Sequence, residues 1–362
     1  MGRTVLVTGV ARPLGSRLVR RLNDEPGVDR VIGIDTIPPR TDLGRAEFVR
    51  ADIRNPIIAR VIGAAEVDTV VHMSVSRSGG GSANRSSVKE VNVIGTMQLL
   101  AACQKAPSLR RLIVKSTTAV YGCSFRDPAL FTETTEPVVP PRGGYAKDAV
   151  EVESYVRGFG RRRADVAVAV LRFANFMGPD VDSPLTRLFT LPVVPTVLGH
   201  DARLQFVHVE DGLEVLRRAV IGDHRGVFNV AGPGVLLMSQ AARRAGRPTM
   251  AVPSRAMGSV GTLLRRAGML NLSEEIVEFL THGRAVDTAR LWERFGFRPT
   301  HSTLATFDEF LDVRGRGPLT PDRLAHAADQ AFEAVRSFSL PVPQPRTAAG
   351  RVLAAVGDDV DE

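Results

Sequence analysis

The residues with the clearest chemical meaning form a glycine-containing turn near the start of the chain. A strand-like run, VLVT, leads into TGVARPLG at residues 8–15, and a helical pattern follows. Glycines in such a turn let the backbone approach a pyrophosphate, and the amino end of the helix supplies N–H groups and a positive dipole. Asp35 closes the next strand-like run, where a carboxylate would accept hydrogen bonds from an adenosine ribose. The pattern predicts a dinucleotide site, and the alternative is a tight turn beside a surface aspartate.

The elements that must position this turn follow a βαβ pattern. Short β-branched runs alternate with segments of helical period up to about residue 175, which predicts an α/β fold: a Rossmann-type doubly wound parallel sheet with a smaller C-terminal substrate lobe. The predicted strands are Arg3–Thr8, Arg30–Asp35, Glu47–Ala51, Asp68–Ser74, Arg110–Ser116 and Asp165–Phe173. The predicted helices are Leu14–Asn23, Pro56–Ile62, Val88–Lys105 and Ala146–Arg162. Such sheets bind ligands beyond the carboxyl ends of their strands.

The pattern divides the chain into three parts. Residues 1–175 are expected to form the dinucleotide-binding Rossmann domain, and residues 176–313 a smaller substrate-binding lobe, with some segments crossing between the lobes. A strand-like run at 227–230 falls in the second part. Residues 314–362 are expected to form a C-terminal tail or peripheral helix, with a helix predicted at 321–337.

Composition excludes several classes of protein. The chain has 362 residues, 44% hydrophobic and 24% charged, which is typical of a soluble globular protein. It has no apolar run long enough for a membrane span and no signal-peptide pattern at its start, so a cytoplasmic protein with no membrane partner is expected. The net charge is +8, but the basic residues are spread without interleaved aromatics, so no nucleic-acid partner is expected. Cys103 and Cys123 lack CxxC spacing, and no metal site is expected.

Seven motifs in order give the chain a resemblance to the extended short-chain dehydrogenases/reductases, specifically the NAD-dependent epimerase/dehydratase family and its UDP-glucose 4-epimerase-like members. The resemblance covers residues 3 to about 312. The matching segments are TGVARPLG at 8–15, ADIR at 51–54, VVHMS at 70–74, VNVIGT at 91–96, STTAVYG at 116–122, LRFANFMGP at 171–179 and FVHVEDG at 206–212.

The resemblance implies NAD as cofactor, and it assigns the residues that would bind it. NADP is the less favoured cofactor because Asp35 would repel a 2′-phosphate. Arg12 stands where the family has its middle glycine; it would either obstruct the pyrophosphate or offer it a charge, and a local pair with Asp35 is the alternative. The implied cofactor-binding residues are Gly9, Arg12, Pro13, Leu14, Gly15, Asp35, Asp52, Ile53, Met73, Ser74, Arg77, Lys147 and Phe173.

The catalytic residues implied by the resemblance are Thr117, Tyr145 and Lys147. In the family, a Ser or Thr orients a substrate oxygen, and a Tyr acts as base with its pKa lowered by a Lys four residues later. Lys147 and Glu151 match the family's KxxxE, but neither Tyr145 nor Lys147 has its YxxxK partner, so the motif is degenerate. Three interpretations stay open: Tyr145 serves from an unusual position, another group is the acid or base, or the protein binds cofactor without turnover.

Asn175 and Arg203 are the candidate substrate-binding residues. Asn175 matches a family position that contacts a nucleotide sugar, and Arg203 lies one step from the position of a family arginine. The function predicted is that of an NAD-dependent epimerase/dehydratase-like enzyme, acting on a nucleotide sugar or related hydroxylated substrate by transient hydride transfer. The alternative is a catalytically impaired NAD(P)-binding sensor or interaction scaffold. A homodimer formed through residues 88–105 and 146–162 is expected from the resemblance.

Overall fold

A seven-stranded parallel sheet organises the molecule. The computed structural model describes residues 2–73, 88–141, 144–319 and 330. The strand order is β11-β6-β5-β4-β1-β2-β3, so successive strands are added on opposite sides of β1, with the switch between β1 and β4, which confirms the predicted Rossmann-type sheet. The seven strands are β1 (Arg3–Thr8), β2 (Val28–Asp35), β3 (Glu47–Arg50), β4 (Thr69–His72), β5 (Arg111–Thr117), β6 (Ala167–Phe173) and β11 (Gly226–Val230).

Helices of the described part of the chain cover both faces of the sheet. The helices up to residue 162 are α1 (Pro13–Asn23), α2 (Ile57–Ala64), α3 (Gly95–Gln104, preceded by a π-helical turn at Glu90–Ile94) and α4 (Gly144–Arg162). Apolar residues at helical spacing, such as Leu18, Val19 and Leu22, are fully buried on one face. The opposite face buries Leu99 and Phe159. Both faces are thus covered, as a parallel sheet requires.

Segments beyond residue 175 divide between the sheet and a second lobe. Helix α6 (Val209–Ile221) packs beside α1. The run at 227–230, expected in the smaller lobe, instead belongs to β11, which pairs with β6 along its whole length. This return of the chain to the sheet agrees with the expectation that some segments cross between the lobes. The domain boundary at residue 175 stays a prediction. The smaller strands are β7 (Asn175–Met177), β8 (Val194–Val197), β9 (Arg203–Leu204), β10 (Phe206–His208), β12 (Leu236–Leu237) and β13 (Thr249–Val252).

A separate apolar core supports the second lobe. The fully buried rings of Phe189, Phe206 and Phe307 pack together in it. Its helices are α5 (Pro184–Thr190), α7 (Met238–Arg244), α8 (Met257–Arg266), α9 (Glu274–His282) and α11 (Thr303–Arg314). The short helix α10 (Ala289–Glu293) packs instead against β11 of the central sheet, where Leu291 is buried. The predicted helix at 321–337 lies outside the described residues apart from residue 330, as does most of the predicted tail. Among the described residues, none of the helices combines the length and the apolar character needed to cross a membrane.

Candidate active site

The turn between β1 and α1 is tightly packed and leaves the amino end of the helix open. Gly9 has φ +78°, a conformation that favours glycine. A Cβ on Gly15 would come within 2.3 Å of the Gly9 carbonyl oxygen, so only glycine lets the helix approach the turn this closely. Pro13 opens α1, no side chain caps this end, and the first turn contains no acid. This end of α1 is therefore suited to an anion, and Leu14 lies in the same first turn.

Asp35 lies beside this turn, at the carboxyl end of β2. Its Oδ2 accepts a hydrogen bond from the backbone N–H of Ala11 at 3.0 Å, and its Oδ1 accepts one from the N–H of Thr36 at 2.8 Å. The two bonds fix the carboxylate at the sheet edge, next to the amino end of α1. A ribose hydroxyl donating to a carboxylate fits this position.

Arg12 lies between the turn and helix α4. Its half-buried guanidinium is close enough to the side chains of Asp35 and Tyr145 to interact with both electrostatically. Burial lowers the pKa of Arg12, and these two neighbours oppose the shift. The charge on Arg12 therefore faces the cofactor side of the sheet.

Two of the predicted cofactor residues, Asp52 and Ile53, lie just after β3. The carboxylate of Asp52 pairs with Arg54 at 2.6 Å, and hydrogen bonding to Arg54 lowers the pKa of Asp52. Ile53 is buried under Gly95, where a Cβ would lie 2.7 Å from its side chain. Two other predicted cofactor residues, Ser74 and Arg77, lie outside the described residues.

A hydrogen-bonded relay holds Met73 and His72 at the end of β4. The Met73 N–H donates to Thr8 Oγ1 at 3.1 Å, and this hydroxyl lies 2.9 Å from His72 Nδ1. His72 Nε2 lies 2.8 Å from Thr96 Oγ1, which donates to the Asn92 carbonyl. One proton arrangement satisfies every bond: the neutral imidazole carries its proton on Nε2. Burial lowers the pKa of His72 to about 4, so it has a structural role.

Thr117 ends β5 and caps the short 3-10 helix Thr118–Tyr121. Its Oγ1 accepts from the Ala119 N–H at 3.2 Å, which fixes the rotamer and leaves the hydroxyl proton available to a substrate oxygen. The side chain is 9% exposed. Helix α4 packs against this turn, and Tyr145 shares a buried cluster with Ala119. Thr117 and Tyr145, the two residues predicted to supply hydroxyl groups, therefore both lie against the turn at residues 118–121.

A buried ion pair fixes the register of helix α4. Glu153 accepts hydrogen bonds from both Nε and Nη2 of Arg172, the shortest at 3.0 and 2.6 Å, and another from Ser116 at 2.5 Å. Arg172 also donates to the Tyr121 hydroxyl, which donates to Asn229. Burial raises the pKa of Tyr121, so its phenol stays protonated and serves as a structural link. The glutamate that locks α4 to the sheet is thus Glu153.

This register separates Lys147 from Tyr145, and the catalytic role assigned to Lys147 stays a prediction. Counting back from Glu153 in steps of four gives Ala149 and then Tyr145, so the family's YxxxKxxxE spacing is present with alanine at the lysine position. Lys147 is exposed on the solvent side of α4, and Glu151, which matched the family glutamate in the other register, pairs with Lys89 at the surface at 3.5 Å. Because residues four apart share a helix face and residues two apart do not, Lys147 does not join Tyr145 and Thr117.

The second lobe reaches the amino end of α4 through Glu275. The Tyr145 N–H donates to Glu275 Oε2 at 3.1 Å, across 130 residues of sequence. Gly144 has φ +67°, and a Cβ there would lie 2.7 Å from the same carboxylate oxygen. No motif or residue spacing marks this contact. The contact links Tyr145, the residue with the phenol group, to helix α9 of the second lobe.

The candidate substrate residues lie where the two lobes meet. Phe173 is buried at the end of β6 with its ring 5.1 Å from that of Phe176. Asn175 is half-buried and pairs with Phe206 in the short sheet β7-β10. Arg203 is half-buried on β9 and donates to the Pro128 carbonyl at 3.4 Å, while its neighbour Leu204 is fully buried.

Lys115 is a residue that the sequence analysis missed. It lies two residues before Thr117, on the same side of β5, and its Nζ is 6.0 Å from the centre of the Phe176 ring. Its charge also contributes to the lowered pKa of His72. It places a lysine charge beside Phe176, close to the carboxyl end of β5.

A histidine cluster in the second lobe bears on metal binding. Ligand atoms of His208, His301 and Glu309 lie within 4.8 Å of one another. The two imidazole rings stack with centres 3.9 Å apart, and His208 Nδ1 accepts from the Glu210 N–H at 3.3 Å. Neutral His208 therefore carries its proton on Nε2, which faces Glu309 at 3.1 Å. Stacked rings with a protonated Nε2 form a hydrogen-bonded cluster poorly arranged for a metal ion.

Comparison with known proteins gives the family. A profile of the NAD dependent epimerase/dehydratase family matches residues 5–231. An uncharacterized protein of Mycobacterium tuberculosis strain H37Rv is 47% identical over 323 residues, which cover 88% of this chain and 85% of that protein. UDP-glucuronic acid decarboxylase 2 of Arabidopsis thaliana is 28% identical over 262 residues, covering 67% of this chain and 56% of the plant protein.

Solved structures share the fold at low identity. A UDP-glucose 4-epimerase of Thermotoga maritima, solved with UDP-glucose, superposes with a TM-score of 0.64 at 20% identity, over 86% of this chain and 98% of that one. A UDP-glucuronic acid 4-epimerase of Bacillus cereus, solved with NAD, has a TM-score of 0.63 at 20% identity, with the same coverage of 86% and 98%. These likenesses confirm the predicted fold.

Proposed function

Since the chain belongs to the NAD dependent epimerase/dehydratase family, we propose that it binds NAD at the turn of residues 9–15 and acts on a hydroxyl group of a nucleotide sugar or related substrate. The single observation that supports the proposal is that Thr117 and Tyr145 lie against the same short turn. Both border the buried turn at residues 118–121, at the carboxyl end of the sheet where this fold binds ligands.

The residues around the turn fit the cofactor. The uncapped amino end of α1 and the charge of Arg12 would hold the pyrophosphate, and Asp35 would accept hydrogen bonds from the adenosine ribose. The carboxylate of Asp35 favours NAD over NADP because it would repel a 2′-phosphate. Met73 and Phe173, at the carboxyl ends of the strands on either side of β5, would border the nicotinamide side.

The protein supplies proton transfer and orientation. The chemistry that NAD provides when bound is reversible acceptance of a hydride from a carbinol carbon. Thr117, with its rotamer fixed by Ala119, donates a hydrogen bond to the substrate oxygen. Tyr145 accepts the proton of the same hydroxyl on its phenolate oxygen. Asn175, at the start of β7, contacts the substrate from the second lobe.

A second candidate function has one specific observation in its favour. Ala149 occupies the position of the family's lysine, so the charge that lowers the tyrosine pKa does not come from that position. A protein that binds NAD as a sensor or interaction scaffold, with impaired catalysis, would tolerate this change.

One experiment separates the two functions. The purified chain is incubated with NAD and a panel of nucleotide sugars, and products are resolved by chromatography for the wild type, Tyr145→Phe and Thr117→Val. Turnover that falls about a hundredfold in Tyr145→Phe supports the enzyme. The matched control is Tyr155→Phe, because Tyr155 lies on the same helix and is exposed. NAD binding without turnover on any sugar supports the sensor, and a Tyr145→Phe variant as active as the wild type contradicts the assignment.

We also propose a homodimer formed through the helical segments 88–105 and 144–162. Four large apolar side chains on these segments are exposed: Ile94, Met97, Val150 and Tyr155. Burying them against a second copy removes apolar surface from water. Light scattering on the full chain at several concentrations tests this, and a monomer at all of them contradicts it.

A further inference from the structure

Lys115 differs from the other lysines of the chain in its position inside the central sheet. The chain has four lysines, and the other three, Lys89, Lys105 and Lys147, are exposed. Lys115 is half-buried on β5, between the neighbouring strands β4 and β6. It is therefore the lysine whose charge lies closest to the edge where this fold binds ligands.

The register of β5 against β6 relates Lys115 to the proposed catalytic hydroxyl. Lys115 pairs with Leu171, and Thr117 pairs with Phe173, the last residue of β6. Because residues two apart on a strand share a face, Lys115 and Thr117 lie on the same face of β5. Phe173, which would border the nicotinamide, ends the strand beside them.

The register of β5 against β4 brings Met73 to the other side of Lys115. Val114 pairs with His72, the last residue of β4, so the next residue of each segment, Lys115 and Met73, come level with each other. Met73 belongs to the same apolar cluster as Phe173. Lys115 thus lies between the two strand ends that would border the nicotinamide.

Two neighbours place the ammonium group of Lys115 towards the carboxyl end of the sheet. Its Nζ is 6.0 Å from the centre of the ring of Phe176, which lies three residues beyond the end of β6. Its charge also acts on His72, at the end of β4. A lysine whose stem lies along an apolar face directs its charged end to the nearest polar surface. At this end of the sheet, that surface is the proposed cofactor site.

The alanine at position 149 leaves a positive charge to be supplied from another element. In the family pattern a lysine follows the tyrosine by four residues on the same helix, and this chain has Ala149 there. We propose that Lys115 supplies this charge from β5, at the nicotinamide end of the cofactor. The inference rests on the proposed function and adds a cofactor-binding residue to it.

A positive charge at this end distinguishes the two oxidation states of the coenzyme. The nicotinamide ring is positively charged in NAD⁺ and neutral in NADH, because NADH has gained a hydride. An ammonium group nearby therefore disfavours bound NAD⁺ relative to bound NADH, by about tenfold in relative affinity for a partly buried pair of charges. A residue that only supports the fold would change both affinities alike.

The test compares the binding of NAD⁺ and NADH by calorimetry, with no substrate present. Lys115→Met and Lys115→Gln remove the charge, and Lys115→Arg keeps it. The matched control is Lys105→Met, which removes an exposed lysine. Lys147→Met and Arg12→Gln examine the two other cations assigned to the cofactor. Thermal unfolding shows which variants are folded, and the second neutral variant serves if the first does not fold.

We expect the ratio of NADH affinity to NAD⁺ affinity to fall about tenfold in the neutral Lys115 variants. Lys115→Arg should keep most of the ratio, and Lys105→Met should keep all of it. An unchanged ratio in folded neutral variants, including an equal weakening of both coenzymes, contradicts the inference and leaves the proposed function standing. A fall seen only in Lys147→Met or Arg12→Gln assigns the charge to that residue and also contradicts the inference. If the wild type binds neither coenzyme, the proposed function itself is wrong, and the inference falls with it.

Discussion

Glu153 and Arg172 form a bidentate ion pair in the protein interior, with Arg172 Nη2 2.6 Å from Glu153 Oε2. Burial by itself disfavours the charge on Arg172, but the hydrogen bonds and charge of Glu153 raise its pKa above the usual value. Removing either partner would leave a buried charge without compensation. The pair therefore fixes which face of α4 meets the sheet, and with it the positions of Tyr145 and Ala149.

The first prediction concerns the alanine at the lysine position. Replacing Ala149 with Lys places an ammonium group one helical turn from Tyr145, which lowers the pKa of the phenol by about 1–3 units and raises turnover at neutral pH. A spectroscopic titration of the tyrosinate, with Tyr145→Phe subtracted, measures the pKa directly. The matched control is Lys147→Ala, which leaves both quantities unchanged because Lys147 is exposed. A drop in turnover for Lys147→Ala would restore the original assignment and contradict this one.

The second prediction concerns the contact between lobes at the start of α4. Glu275→Ala removes the acceptor of the Tyr145 N–H, and loss of such a cap lowers the free energy of unfolding by about 1 kcal/mol. Glu275→Gln keeps an acceptor oxygen and should lose less. Glu274→Ala, an exposed neighbour in the first turn of α9, controls for the helix dipole. Equal stabilities of the Glu274 and Glu275 variants in urea unfolding would mean that the contact contributes nothing.

The third prediction concerns the pH dependence of stability through His72. Its folded pKa of about 4 lies below the ordinary value of 6.5, so the unfolded state binds the proton first as the pH falls. The contribution of His72 to the free energy of unfolding is complete above pH 6.5 and is lost as the pH falls towards 4. The loss amounts to at most roughly 3 kcal/mol. Urea unfolding of the wild type and His72→Gln across this range measures it, with exposed His200→Gln as control. Parallel pH profiles for the wild type and His72→Gln would contradict the assignment.

The fourth prediction concerns Arg12. If its charge serves the pyrophosphate, Arg12→Gln weakens NAD binding by about tenfold and reduces the dependence of binding on salt. Arg20→Gln, an exposed arginine on the same helix, should bind as the wild type does. Tighter binding by Arg12→Gln would instead mean that the side chain obstructs the cofactor.

The strands and the cofactor turn were predictable because their patterns are local. The run VLVT, the glycines and the period-2 and helical patterns follow from neighbouring residues alone. The register of α4 is predictable in principle, although the KxxxE match at Lys147 and Glu151 points to the other register. Ala149, Val152, Val156 and Phe159 recur at helical spacing and are buried, and this stripe places positions 147 and 151 on the outer face.

The rest of the site depends on contacts between distant parts of the chain. Glu275 meets Tyr145 across 130 residues. Glu275 does not stand in a motif or a spacing that marks it. Strand β11 returns to the sheet after the second lobe has begun, and only the pairing with β6 shows its place. Long-range tertiary contacts of this kind have no signature in a single sequence.

The central claim is that residues 9–15 form an NAD-binding turn. Calorimetric titration of the purified chain with NAD tests it most directly, together with thermal unfolding in its presence. The account predicts saturable binding of one NAD per chain, a raised Tm, and weaker binding of NADP because of Asp35. A titration with no heat and no change in Tm for either coenzyme would contradict it.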